Sequence, residues 1–353
     1  SGRLDETFLV ISGDALCDFD LTKLVEFHRE RGAAATIALK RVENPLEFGI
    51  VVTDSDGRVE RFLEKPSWSQ VFSDTINTGV YVLKPEVLKH VPTDRSYDFS
   101  KELFPLLLEM GRPVYGFVTE GYWQDIGDLA QYRQANFDAL EGNVSLQIPG
   151  VRLRGNVWLG EGVEIDDFDH VEAPAFIGNY CRIATDATVG PYSVLSASVT
   201  LRERARTVGS VIDAATHIGR SALIENAIVG RSCDIRSHVR IHEDVAIGDQ
   251  VTIGAESVVM PGVRIFPFKE VESGSQVVEN LIFESRPSLH VFAADGAFDV
   301  AVDAIVEHED RQVVLHAVGD GRAVHDAKIL RQDIHVRNLL IHFSCGDLDR
   351  VGI

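Results

Sequence analysis

Residues Val229–Phe283 read VGRSCDIRSHVRIHEDVAIGDQVTIGAESVVMPGVRIFPFKEVESGSQVVENLIF. An apolar residue recurs at every sixth position: Val229, Ile235, Ile241, Ile247, Ile253, Val259, Ile265, Val271, Val277 and Phe283. A period of six fits neither an α-helix nor an open sheet. It fits a parallel β-helix in which each hexapeptide forms one side of a coil and the aliphatics stack inside. Upstream the same period runs through Leu153, Leu159, Ile165, Val171, Ile177, Ile183, Val189, Leu195 and Leu201, and it continues in a shifted phase at Ile212, Ile218 and Ile224. Glycine follows the aliphatic at positions 160, 178, 190, 219, 230, 248 and 254, which suggests turns that need a permissive backbone. The two phase breaks predict a loop bulging from a coil at Arg202–Val211 and a one-residue deletion in a turn at Ile224–Val229. Arg202, Arg204 and Arg206 then sit on a solvated loop, with contact to an anionic partner or ligand as the other reading.

Before the repeats, residues 143–150 form a short linker, and a different pattern precedes it. Leu21–Gly32 (LTKLVEFHRERG) is an amphipathic helix with Gly32 as its C-cap and His28 on its solvated face. Further helices are expected over Lys101–Met110 and over Leu129–Leu140, the latter capped by Asp128 and ended at Gly142. Strands alternate with these helices, as in an α/β layer. Phe48–Leu83 supplies its centre, FGIVVTDSDGRVERFLEKPSWSQVFSDTINTGVYVL. Two alternating runs, from Gly49 and from Thr78, flank a turn at Asp54–Gly57 and a strand that Pro66 stops beside Glu64 and Lys65. An anion beside a cation at a strand end suits a ligand with both hydroxyls and a phosphate, although an exposed Glu-Lys pair ending an ordinary strand reads the same way.

Two further strand ends carry carboxylates. Phe8-Leu-Val-Ile-Ser-Gly-Asp14 is a buried-looking strand ending in Gly-Asp, and Gly121-Tyr-Trp-Gln-Asp125-Ile-Gly127 sets another Asp beside glycines. Two carboxylates near a phosphate-binding Lys suit Mg²⁺-dependent phosphoryl or nucleotidyl transfer, because Mg²⁺ takes hard oxygen ligands alongside phosphates.

In this order, VISGDAL, EFGIV, FLEKP, INTGVYVL and GYWQDIG resemble the motifs of sugar-1-phosphate nucleotidyltransferases, most closely bacterial-type mannose-1-phosphate guanylyltransferases with a hexapeptide-repeat extension. The resemblance runs from about Phe8 to Arg286. It implies an α/β fold: a partial Rossmann-like nucleotidyltransferase domain over residues 1–142, its sugar-phosphate-binding part, then a left-handed parallel β-helix over 143–286. It also implies that GTP and mannose 1-phosphate react to give a nucleotide sugar and pyrophosphate. Asp14 and Asp125 would hold Mg²⁺, Lys65 would pair with the sugar phosphate, and Glu64, Gly49 and Asn77 would contact the sugar. Singly, these residues also read as a turn Asp, a strand glycine and an Asx-turn; Trp123 reads as packing beside the site. The family's glycine-rich nucleotide-binding half is not found before Asp14, so the chain is expected to be N-terminally truncated and its catalysis impaired. A homo-oligomer formed through the β-helix is likewise expected.

Composition bounds the remaining choices. At 353 residues the chain is long enough for two cores, and its 45% hydrophobic content is ordinary for globular proteins. A net charge of −20 argues against nucleic acid as a partner. Cys17, Cys181, Cys233 and Cys345 lack metal or redox spacing and read as reduced thiols, and no apolar run is long enough to span a bilayer, which together suggest a cytoplasmic protein. After Arg286 the repeats stop, and the tail of 287–353 has no motif, although Phe298–Val306 and Val313–Val318 read as strands. His290, His308, His316, His325, His335 and His342 lack metal-ligand spacing. Two rival functions remain: a non-catalytic sugar-nucleotide-sensing or scaffold subunit, and an acyl-CoA transferase using His170, His217, His238 or His242.

Overall fold

The computed structural model describes residues 6–46, 48–64, 73–95, 97–282 and 314–317. These fall into two compact units, one comprising the chain through Asp125 with Val314–Ala317, the other running from Ile126 through the repeats.

The first unit is built on a mixed sheet. Strand β1 (Phe8–Ile11), β3 (Ala35–Arg41), β6 (Thr75–Leu83) and β7 (Val114–Val118) lie in the order β1-β6-β3-β7, and β3–β7 is the parallel pair. The hairpin of β4 (Gly49–Thr53) and β5 (Val59–Glu64) joins through Ile50, which pairs with Ile76. Its turn forms where the sequence predicts it: the Asp54 carboxylate accepts the N–H groups of Asp56 and Arg58, each at 2.9 Å, and Gly57 takes a φ of +82°. Val314–Ala317, within the strand expected at Val313–Val318, pairs antiparallel with β1; Phe298–Val306 lies outside the described residues.

Both faces of this sheet are covered, which explains its unbroken apolar runs. Along β1, β3 and β6, Phe8, Val10, Ile37 and Leu83 pack on one side with Phe104 and Leu107, while Leu9, Ala38, Val80 and Val82 pack on the other with Leu24 and Val25. The first side is closed by a wide turn over Phe99–Leu103, capped by Asp98, and by helix α2 (Phe104–Glu109). The second is closed by helix α1 (Leu21–Glu30). Here the structure corrects the expectation for His28. It is 1% exposed, its Nδ1 lies 2.8 Å from the Thr36 hydroxyl, and burial pushes its pKa down to about 4. The apolar stripe of α1 runs Leu21, Leu24, Val25, and His28 is the next position on that stripe.

In the second unit helix α3 (Leu129–Glu141) comes first. Asp128 and Gln131 form a reciprocal capping box, and Gly142 ends the helix at a φ of +81°. Leu140 and Tyr132 pack against Phe176, Val194 and Val211 of the repeats, and Arg133 bonds the Asp244 carboxylate at 2.9 Å.

The repeats form a parallel solenoid with three sheets of eight, seven and six strands. Residues pair with partners eighteen positions on, as Val157 with Ala175 and Ala175 with Ser193, so three hexapeptides make one coil. Ile177, Ile183, Val189, Leu195, Leu201, Ile212, Ile218 and Ile224 are buried within it. Cys181 and Cys233 lie in the same interior, and burial raises their thiol pKa values to about 11, as it does for Cys17.

Two details of the repeats differ from the sequence reading. No loop bulges at Arg202–Val211: Arg206–Val208 is a strand, and Thr207 occupies the missing core slot with its hydroxyl 3.1 Å from that of Ser193. The phase change is one residue lost between Thr207 and Ile212, directly below the equivalent loss between Ile224 and Val229. Partners between these corners are seventeen residues apart, as Leu201 with Ile218. The glycines after the core aliphatics also have a different cause. Positive φ falls on non-glycine residues such as Tyr180, Ser221 and Gln250, whereas Gly178 and Gly219 lie against the next coil, where an added Cβ would come within 2.8 Å of Ser196 C and 2.6 Å of Arg236 C. Among the described residues no helix is long and apolar enough to cross a membrane.

Candidate active site

Asp14 follows a tight reversal at the end of β1. The Ser12 N–H donates to Gly79 O at 2.9 Å, the Ser12 hydroxyl donates to Asp14 Oδ1, and the chain enters β2 (Ala15–Cys17). Gly79 makes this approach possible, with a φ of +77° and a Cβ position that would lie 2.8 Å from Ser12 Cβ.

Strand β2 pairs antiparallel with β8 (Trp123–Asp125) in the register Ala15↔Asp125, Leu16↔Gln124, Cys17↔Trp123. Asp14 therefore stands one residue beyond the position facing Asp125, and this two-stranded ribbon brings the two predicted carboxylates to the same end. Asp18 fixes the far end of the ribbon: its carboxylate accepts the Tyr122 N–H at 2.6 Å, and a Cβ on Gly121 would come 2.5 Å from the same oxygen. Lys40 donates to Gly121 O, holding the same turn.

Trp123 ties the ribbon to the sheet. Its indole N–H donates to Thr78 O at 3.0 Å, and its ring meets Phe48 edge-on at 5.3 Å. Those contacts bring β8 beside the residues preceding Gly49 and following Asn77. In the antiparallel register set by Ile50 and Ile76, Gly49 lies beside Asn77 and pairs across the hairpin with Glu64. The Asn77 amide is engaged locally: its oxygen accepts the Gly79 N–H at 3.1 Å, and its nitrogen donates to Tyr81 and Ser100 at 2.9 and 3.0 Å. Lys65 and the side chain of Glu64 lie outside the described residues.

Of the predicted residues, Asp14 and Asp125 meet on the ribbon, and Gly49, Asn77 and the Glu64 backbone meet on the sheet. Sequence reasoning missed Ser12, Asp18 and Phe48. Ser12 was the most accessible of these, because a hydroxyl two residues before a turn aspartate is placed to bond it. Asp18 carries no such signal, as its partner Tyr122 is distant in sequence.

Residues 2–142 match the nucleotidyl transferase family model, and residues 171–282 match the model described as the GMPPB C-terminal domain. A UTP–glucose-1-phosphate uridylyltransferase of Synechocystis sp. is 35% identical over 268 residues, 74% of this chain and 69% of the relative. A mannose-1-phosphate guanylyltransferase catalytic subunit beta of Danio rerio is 31% identical over 268 residues, 75% of this chain and 69% of the relative. A glucose-1-phosphate adenylyltransferase of Desulfitobacterium hafniense is 28% identical over 258 residues, 71% of this chain and 59% of the relative. Five ordered motifs, two family models and relatives acting on three nucleotides share one chemistry, and the chain belongs to the sugar-1-phosphate nucleotidyltransferase family.

Proposed function

We propose that the first unit binds mannose 1-phosphate as the acceptor of a guanylyl group from GTP. The observation that carries this reading is the pairing of β2 with β8, which sets Asp14 and Asp125 at one end of a ribbon next to the strand ends bearing Gly49 and Asn77. Two part-buried carboxylates supply hard oxygen donors of the kind Mg²⁺ takes alongside phosphates, so the residues present fit that ion. Bound there, Mg²⁺ would neutralise charge on the phosphates during transfer. Lys65 neutralises the sugar phosphate and Glu64 accepts from sugar hydroxyls. Gly49 allows close backbone approach, and Asn77 shapes the floor through its fixed amide. The match of the repeats to the GMPPB C-terminal model favours mannose and guanine. Association of the solenoids into a homo-oligomer is part of the proposal, and sedimentation velocity measures it.

The alternative to be separated from this reading is a sensing or scaffold subunit that binds sugar phosphate without transferring a nucleotide.

One assay separates these readings. Mannose 1-phosphate binding is measured by calorimetry, and pyrophosphate release is followed with GTP and mannose 1-phosphate, then with UTP or ATP and glucose 1-phosphate. Release fastest with GTP and mannose 1-phosphate, abolished in Asp125→Asn, supports the transferase; faster release with UTP and glucose 1-phosphate replaces its specificity. Binding without release selects the second reading, and neither binding nor release removes the acceptor site.

A further inference from the structure

Four successive turns stack along one edge of the solenoid, following Arg182–Ile183, Thr200–Leu201, His217–Ile218 and Asp234–Ile235. The in-register pairing Leu201↔Ile218↔Ile235 makes their residues nest in columns. Backbone bonds hold the nesting: Arg204 N–H to Thr185 O at 3.3 Å, Ser221 N–H to Glu203 O at 3.0 Å and His238 N–H to Arg220 O at 2.9 Å. One column is thus Thr185, Glu203, Arg220, Ser237, and its neighbour is Asp186, Arg204, Ser221, His238, with about 4.8 Å between coils. In a third column Gly219 stands between Arg202 and Arg236, so one side chain is missing from the row. A cavity of about 610 Å³ opens there, lined by Arg202, Arg204 and Arg220 together with Asp186, Glu203 and His217.

Ion pairing in this groove is uneven, and Arg202, Arg204 and Arg220 are all exposed. Arg236 is engaged by Asp234 at 3.2 Å, and Arg202 lies 3.5 Å from Glu203. Arg204 and Arg220, on adjacent coils, have no side-chain partner among the described residues, in a chain whose net charge is −20. Guanidinium groups at that spacing present paired N–H forks to the oxygens of one phosphate. Asp186 and Glu203 on the same rim would repel a bare polyanion, and they accept hydrogen bonds from hydroxyls, as Thr185 and Ser237 also do. The groove is open and polar rather than enclosed and apolar, and its volume is large enough for a small ligand, roughly 300–1,000 Å³ in sites generally.

We propose that this groove is a second ligand site, taking a small phosphorylated sugar with its phosphate on Arg204 and Arg220 and its hydroxyls on the acidic and hydroxyl side chains of the rim. The site is built from the solenoid alone and does not depend on the acceptor reading of the first unit.

Equilibrium dialysis of the full 353-residue chain with labelled mannose 1-phosphate tests it by counting sites. The double variant R204Q/R220Q is expected to bind one equivalent fewer than the unaltered protein, at least a 10-fold loss at that site. The exposed Arg206→Gln, on the next strand and outside the groove, is expected to bind as the unaltered protein does. If the acceptor site also binds, the count falls from two to one; if it does not, it falls from one to none, so failure of one site is distinguishable from failure of the other. Free mannose should not compete, and inorganic phosphate should compete weakly. An unchanged count in R204Q/R220Q, an equal loss in Arg206→Gln, or no binding by the unaltered chain overturns the proposal. Should the double variant lose its native melting transition, the single Arg220→Gln carries the same test.

Discussion

In the solenoid, a buried aliphatic meets its own equivalent one coil above and one below, as Ile218 meets Leu201 and Ile235. In the first unit, Phe8, Ile37 and Phe104 come from three separated segments and share a cluster that occurs once. The first arrangement is a stack of near-identical contacts, each made by neighbours, and the second depends on several long-range contacts forming together. Damage should accordingly stay local in the solenoid and spread in the first unit.

The sharpest way to break that comparison is a cavity in the stack. Ile235 is fully buried, and Ile235→Ala should cost about 2–5 kcal/mol by urea denaturation. Amide exchange in β1 should be unchanged; equal loss of protection there would show that the two units do not respond separately. A somewhat smaller effect comes from His28, which is buried neutral. Its folded pKa of about 4 lies below its ordinary value of 6.5, so its contribution is fully present above pH 6.5 and is lost as the pH falls towards 4. At 1.36 kcal/mol per unit this amounts to at most ~3 kcal/mol, read as the difference in urea midpoint between pH 7 and pH 4.5. In His28→Gln the pH-dependent part should shrink; an unaltered slope would assign it to other groups.

Gly79→Ala should cost about 1–2 kcal/mol, because φ is +77° there and the new Cβ meets Ser12. Its second consequence distinguishes the first unit from the solenoid. By displacing Ser12 it should also disturb Asp14, so mannose 1-phosphate binding should weaken beyond what the change in melting temperature explains. Unaltered affinity would separate the Ser12 contact from the site. The smallest expected effect is loss of the α3 cap: Asp128→Ala should cost about 1 kcal/mol, measured by thermal unfolding.

The same contrast governs how much could be read from the residues. The solenoid was legible because one short period maps onto one side of a coil, and the eye needs no knowledge of distant contacts. Its exceptions were not legible. Thr207 breaks an aliphatic series yet stays buried because Ser193, one coil away, satisfies its hydroxyl, and the glycines answer to the backbone of the next coil. In the first unit the strand ends carrying Asp14 and Asp125 were legible as motifs, but the ribbon that unites them rests on Asp18 and Tyr122, joined across more than a hundred residues. His28 was misread because its residue type suggested water, while its position on the stripe of α1 pointed inward.

The two shortened corners, one at Val208–Ser210 and one at Glu225–Ala227, carry an evolutionary consequence. Asn226 bonds back to Val208 through its N–H at 2.8 Å, and an added Cβ on Gly209 would strike the Asn226 side chain, so the two corners nest. Each short corner also rests on a full-length one, Gly209 N–H on Pro191 O and Asp244 N–H on Asn226 O, both at 2.9 Å, so corners of unequal length pack together and lineages should gain or lose these residues one corner at a time.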